Sequence, residues 1–90
     1  MTAEDAAYRA LAAFRIPAAE RRQFAAKVAV KVRGVPAEGL PNVAALGDMG
    51  GIAADLFHDV PLSVSIYRRR EVAGAAVVAA AQALLNEAAE

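Results

Sequence analysis

Residues 64–86 read VSIYRRREVAGAAVVAAAQALLN, and the charges of this stretch are all at its beginning. Three arginines and a glutamate at positions 68–71 are followed by fifteen residues without a charge. A surface helix carries a polar stripe, but in this run only Gln82 and Asn86 are polar. A helix that lacks a wet side has to be enclosed by neighbouring helices. We therefore expect a long, alanine-rich C-terminal helix at the centre of the fold.

The composition agrees with a small helical protein. The chain has 90 residues, which is the length of one domain, and we predict a single helical domain over residues 1–90. Apolar residues make up 58% of the chain, the excess is mostly alanine, and Trp is absent. Such a core has to be built from close contacts between helices. Cysteine is absent as well, which excludes disulfides, thiolate metal sites and cysteine nucleophiles.

Start and stop signals predict an all-α domain of four helices. Thr2 is a candidate N-cap for the first helix. Pro17 suits the first position of the second helix, and Gly34 suits the position after its end. Asn42 is a candidate cap for the third helix, which the glycines of GDMGG at residues 47–51 should break. The predicted helices span about residues 2–14, 17–33, 42–59 and 61–88.

The start of the last helix depends on where the three arginines lie. A helix that began at Tyr67 would have three cations at its positive end, which is unfavourable. A start at Pro61 places them two turns inside the helix. It also puts Leu62 and Ile66 on the same face as the apolar residues that follow. We therefore predict a helix from Pro61.

An α+β fold is the alternative, because two short runs alternate apolar and polar residues as strands do. These runs lie near residues 27–33 and 62–67. With helices on either side of the G-x-x-G at residues 47–50, this plan resembles the core of KH RNA-binding domains. The resemblance implies that the G-x-x-G backbone binds nucleic-acid phosphates. Asp48 departs from that family, whose loop usually carries a basic residue here.

A face of small residues on the last helix is the candidate interaction surface. Small side chains let a second helix approach closely, so we expect the chain to self-associate or to dock on a larger protein. The best functional interpretation is a non-catalytic interaction or assembly protein, such as an accessory inhibitor, a regulator or an assembly subunit. The candidate face consists of Ala73, Val77, Ala80, Ala81 and Leu84.

Nucleic-acid binding by a basic patch is the alternative function. The net charge of zero and the isoelectric point near 6.6 place it second. The segregation of charge between basic and acidic segments also permits these cations to pair within the molecule. The patch would consist of Arg21, Arg22, Lys27, Lys31, Arg68, Arg69 and Arg70.

We expect no enzyme activity, cofactor, metal or small-molecule ligand. Asp55, His58 and Asp59 share one helical face at i, i+3 and i+4, where a metal or a general base is conceivable, but no further ligand or nucleophile accompanies them. We also expect no membrane partner, because the charge-free run is about 22 Å long as a helix and a bilayer core is about 30 Å thick. Without a recognisable signal peptide, we expect a cytoplasmic protein.

Overall fold

The chain folds into helices, which the computed structural model describes over residues 1–47 and 51–89. Five α-helices occur in this part of the chain, joined by turns and short 3₁₀ segments, and it contains no strand. The all-α prediction is therefore confirmed, and the α+β alternative is wrong. The helices are α1 (Ala3–Leu11), α2 (Ala18–Arg33), α3 (Leu40–Leu46), α4 (Gly51–Asp55) and α5 (Arg69–Ala89), and the 3₁₀ segments are Ala12–Phe14, Ala37–Gly39 and Phe57–Asp59.

The C-terminal helix α5 is the centre of the fold. It packs against α1, α2, α3 and α4. Six of its eight buried residues are alanine or glycine, so the neighbouring helices approach it closely. The prediction of a long, alanine-rich C-terminal helix is confirmed, and the other helices of the chain cover one side of it, whereas Gln82 and Asn86 are exposed. The buried residues are Val72, Ala73, Gly74, Ala76, Val77, Ala80, Ala81 and Ala83.

Length and composition alone would allow α5 to cross a membrane. The core helix of a soluble protein passes the same test, and four helices of the same chain pack against α5. The radius of gyration is 11.8 Å, close to the roughly 12 Å of a compact chain of this length. We therefore interpret α5 as a core helix.

The first two helices form where their end signals place them. Thr2 caps α1, since its Oγ1 accepts a hydrogen bond of 3.1 Å from the backbone N–H of Asp5. Pro17 is the N-cap of α2 and not its first helical residue, so the helix begins one residue later than predicted. Gly34 is its C-cap. The helix is amphipathic at helical spacing, because its buried stripe contains Phe24, Val28 and Val32. Residues 27–33 are therefore helical and not a strand.

A strained residue makes the turn between α1 and α2. Arg15 has φ 57° and ψ 38°, the left-handed conformation, and no other non-glycine residue in the described ranges has a positive φ. This conformation costs a residue with a Cβ roughly 1–2 kcal/mol. The turn sends Ile16, which is 2% exposed, into the core and aims the chain at Pro17.

The predicted third helix is two short helices, as the glycines indicated. α3 ends at Leu46, with Gly47 as its C-cap, and α4 begins at Gly51. The predicted cap is wrong, since Asn42 lies inside α3 and Gly39 occupies the N-cap. The rest of the G-x-x-G motif, with Asp48, lies outside the described residues.

The predicted start of the last helix at Pro61 is wrong, because α5 begins at Arg69. Residues 60–68, which we call the connector, form turns. Backbone N–H groups of Val64 and Arg68 donate to carbonyls three residues earlier, at 3.0 and 2.9 Å. Val60 and Val64 are buried and anchor the connector, whereas Leu62 is 87% exposed.

Local propensity and tertiary contacts explain this start. The connector is rich in serine and β-branched residues, which are poor helix formers. The predicted penalty for cations at the helix start, about 0.3–1 kcal/mol each, is offset by partners. Arg68 Nε lies 3.5 Å from Glu71 Oε2, and its guanidinium carbon lies 5.3 Å from the centre of the Phe14 ring. A cation–π contact contributes about 0.5–1 kcal/mol.

The close approach of α3 to α5 can be tested at Gly47. A methyl group on Gly47 would lie 2.9 Å from Val77 Cγ1 and 3.4 Å from Val78 Cγ2. Val77 is fully buried and has a stiff side chain, so it cannot move aside. We expect Gly47→Ala to lower the free energy of unfolding by about 1–3 kcal/mol in urea denaturation.

The matched control is Gly51→Ala, because a methyl group there meets no atom within 4 Å and the φ of Gly51 is not positive. We expect it to be neutral or stabilising by up to about 1 kcal/mol. Equal destabilisation by both variants would contradict the packing.

Candidate interaction surface

The predicted interaction face of α5 lies in the core of the chain itself. Ala73, Val77, Ala80 and Ala81 are 0% exposed, and Leu84 is half-buried. The helices that cover them are α1 to α4, so a partner cannot reach these four residues in the folded chain. A surface for a partner has to be sought elsewhere.

The predicted basic patch is divided by ion pairs inside the molecule. Arg22 Nη1 lies 3.3 Å from Glu4 Oε2 and 3.4 Å from Asp5 Oδ1, which joins α2 to α1. Lys27 Nζ lies 3.4 Å from Asp59 Oδ1, which joins α2 to the segment after α4. The segregated charges of the sequence therefore meet, in part, within the fold.

Four of the seven predicted patch residues also lie over aromatic rings. Each ring belongs to an element other than the one that carries the arginine, so these contacts tie neighbouring elements together. The contacts are Arg21 and Arg22 with Tyr8 (4.7 and 3.9 Å), Arg68 with Phe14 (5.3 Å) and Arg69 with Phe57 (5.8 Å).

Lys31 and Arg70, the remaining residues of the predicted patch, are exposed. Neither has an ion pair within 4.0 Å among the residues that the structure describes. Lys31 borders a shallow apolar cleft of about 330 Å³ beside Val30, which is 69% exposed. Arg70 belongs to another element, because it lies in the first turn of α5. The seven residues therefore do not form one free basic surface.

Asp55, His58 and Asp59 do not converge, because α4 ends at Asp55 and a separate 3₁₀ segment carries the other two. Asp59 is paired with Lys27, and exposed His58 lies edge-on to the ring of Phe57 at 5.4 Å. Within residues 1–47 and 51–89, no three His, Cys, Asp or Glu side chains are grouped for a metal ion. The prediction that the three residues share one helical face is wrong.

The exposed apolar side chains of the connector are the most unusual feature of the surface. Tyr67 is 93% exposed, Leu62 87% and Ile66 61%, whereas most other large apolar side chains of the described residues are buried or half-buried. Arg68 and Arg70 follow directly and are exposed as well. We call these five residues the connector patch.

The connector is held in place from beneath. Val60 and Val64 are inserted into the core. Ser63 Oγ donates a hydrogen bond of 3.0 Å to Glu20 Oε2, which fixes the connector to the first turn of α2. These contacts present the patch in a fixed arrangement, so a partner would not have to order it on binding.

Sequence reasoning missed this surface, because it placed Leu62 and Ile66 on the buried face of a helix. Neither period would have found it, because strand alternation also places Leu62, Val64 and Ile66 on one face, whereas only Val64 of these three is buried. The segment forms turns, and which of its side chains are buried depends on tertiary packing.

The chain was compared with known proteins at three levels. Comparison with protein families, with curated proteins and with solved structures found no match. The connector patch is therefore interpreted from its own geometry and chemistry.

Thr2 and Arg22 both lower the pKa of Asp5. Hydrogen bonding from Thr2 is the main cause that lowers the pKa of Asp5 below its ordinary value, and Arg22 lowers it further. A carboxyl group whose pKa is depressed by folding stabilises the folded state above its ordinary pKa. This stabilisation is lost as the pH falls through the depressed value, that is, below about pH 4.

We expect Thr2→Ala to raise the pKa of Asp5 towards its ordinary value, because the main cause of the depression is removed. Arg22→Gln should raise it less. An NMR titration that follows the Asp5 carboxyl carbon measures both shifts. An unchanged Asp5 pKa in Thr2→Ala would disprove the Thr2 side chain as the main cause.

Proposed function

We propose that this chain is a small, non-catalytic helical protein that self-associates or docks on a larger protein. The observation that supports this most directly is the connector patch, with Tyr67 93% and Leu62 87% exposed on an anchored segment. Exposed apolar groups rimmed by charged ones are typical of protein interaction sites.

The chemistry of the patch suits binding. Burying a large apolar side chain contributes about 1.5–3 kcal/mol, and the patch offers Leu62, Ile66 and Tyr67. Tyrosine and arginine are the residue types that most often dominate the energy of protein interfaces. A stable interface buries roughly 800 Å² on each partner, so we propose the patch as the centre of a larger contact.

The biological roles that fit this proposal are those of an accessory inhibitor, a regulator or an assembly subunit in the cytoplasm. Each acts by occupying or joining another protein and needs no reacting group of its own. The continuous helical face that the sequence offered for acid–base chemistry is interrupted between Asp55 and His58, since α4 ends at Asp55 and a 3₁₀ segment carries His58.

The test is a comparison of the wild-type chain with Ile66→Ser/Tyr67→Ser. Because both side chains are exposed, we expect the free energy of unfolding to change by less than about 0.5 kcal/mol. We expect at least a tenfold loss of binding, measured by sedimentation velocity for self-association and by quantitative capture from a native extract for other partners.

Val30→Ser is the control, because Val30 is also apolar and 69% exposed but belongs to α2. It should bind like the wild type. A wild-type chain that stays monomeric at high concentration and captures the same proteins as the double variant would refute the proposal. Loss of binding in Val30→Ser alone would move the site to the cleft beside Lys31.

Nucleic-acid binding is the second candidate, and Tyr67 beside Arg68 and Arg70 favours it. An exposed ring can stack on a base while arginines contact phosphates. Several cations of α2 are already paired, so we expect weak binding or none. Retention of a single-stranded 20-mer on filters at 50 and 200 mM salt tests this. Strong retention that falls steeply with salt would favour this candidate instead.

A further inference from the structure

We propose that the connector patch binds a segment of another protein that combines acidic and apolar side chains, and that its partner is not a second copy of this chain. This inference rests on the proposed function and specifies the partner of the same site. Two observations support it: the positive charge of the patch, and the ion pairs that several acidic side chains already form within the chain.

The segment that carries the patch is basic in sequence. Residues 61–71 contain three arginines and one glutamate, a net charge of +2. Glu71 is already within 3.5 Å of Arg68, and the nearby Glu20 accepts a hydrogen bond from Ser63. A surface with exposed Tyr67 and surplus guanidinium groups is complementary to apolar residues flanked by carboxylates.

A symmetric contact with a second copy would oppose like charges. In a two-fold interface the same patch lies on both sides, so Arg68 and Arg70 of each copy would face those of the other. Like charges brought together at an interface destabilise it. The acids that could relieve this in a head-to-tail contact are partly occupied, since Glu4, Asp5 and Asp59 form ion pairs within their own chain.

Two arginines at the start of α5 lie against aromatic rings. The guanidinium of Arg68 lies over the ring of Phe14, and that of Arg69 lies over the ring of Phe57, which limits the conformations that each adopts. A planar guanidinium in a fixed position binds a carboxylate through two parallel hydrogen bonds. A carboxylate of a protein segment would therefore be attracted by the positive charge of these arginines and could also accept hydrogen bonds from them.

The apolar members distinguish a protein segment from nucleic acid. Leu62 and Ile66 offer nothing to a phosphate backbone, whereas they suit leucine or aromatic side chains of a partner. The expected partner segment is an amphipathic one, with apolar anchors at helical or strand spacing and Asp or Glu beside them.

A random 16-residue peptide display library is the probe that tests this inference. The wild-type chain is the bait, and Ile66→Ser/Tyr67→Ser is used for counter-selection, so that patch-dependent peptides are retained. We expect these peptides to combine Leu, Phe, Trp or Ile with an excess of Asp and Glu over Lys and Arg.

Variants that change one charged residue then test whether electrostatic attraction contributes to binding of the selected peptides. We expect Arg70→Glu to weaken binding by about 3- to 10-fold, because an attraction is replaced by a repulsion. Lys31→Glu is the control, since it makes the same charge change at another exposed cation, and it should alter binding less than about twofold.

The possible results separate the two levels of the proposal. Patch-dependent peptides without acidic bias, or without sensitivity to Arg70→Glu, would overturn the partner chemistry and leave the proposed function standing. No patch-dependent peptide would overturn the acidic-segment partner, and a monomeric chain that also captures the same proteins as Ile66→Ser/Tyr67→Ser would overturn the proposed function as well. A wild-type chain that dimerises through the patch, or that binds vesicles with 30% phosphatidylserine or a 20-mer oligonucleotide more tightly than the best peptide, would overturn the acidic-segment partner.

Discussion

The fold depends on the close packing of small side chains around α5. Six of the eight buried residues of this helix are alanine or glycine, and four other helices contact it. Each alanine buries little surface, so the stabilising energy comes from the short distance between helices and from the larger residues around them. Phe24, Leu11 and Leu56 supply those larger side chains. We therefore expect few core positions to accept a smaller side chain, and almost none to accept a larger one.

Much of the helical architecture follows from local signals in the sequence. Pro17 and Gly34 bound α2, Thr2 caps α1, and the charge-free run predicts an enclosed helix. These features depend on neighbours in the chain, which a sequence shows directly. The start of α5 does not, because the rings of Phe14 and Phe57 that accept the arginines come from distant segments.

The candidate surface illustrates the same limit more sharply. An apolar helix has to be covered, but composition does not say whether the cover comes from the same chain or from another. Here it comes from the same chain, which removes Ala73 and Val77 from any interface. The exposed side chains instead belong to the connector, where burial of Val60 and Val64 decides which way Leu62 and Tyr67 point. That outcome depends on tertiary packing and was not predicted.

The position of the connector also places a protease-sensitive bond directly before the core helix. Arg68 is exposed, lies outside any helix and directly precedes the core helix. Trypsin-like proteases cleave after arginine in accessible, non-helical backbone. One cut there would remove the covalent link between α5 and the helices that surround it, because all of those helices precede the cut in the chain. Whatever covers this segment would therefore also govern how long the protein survives digestion.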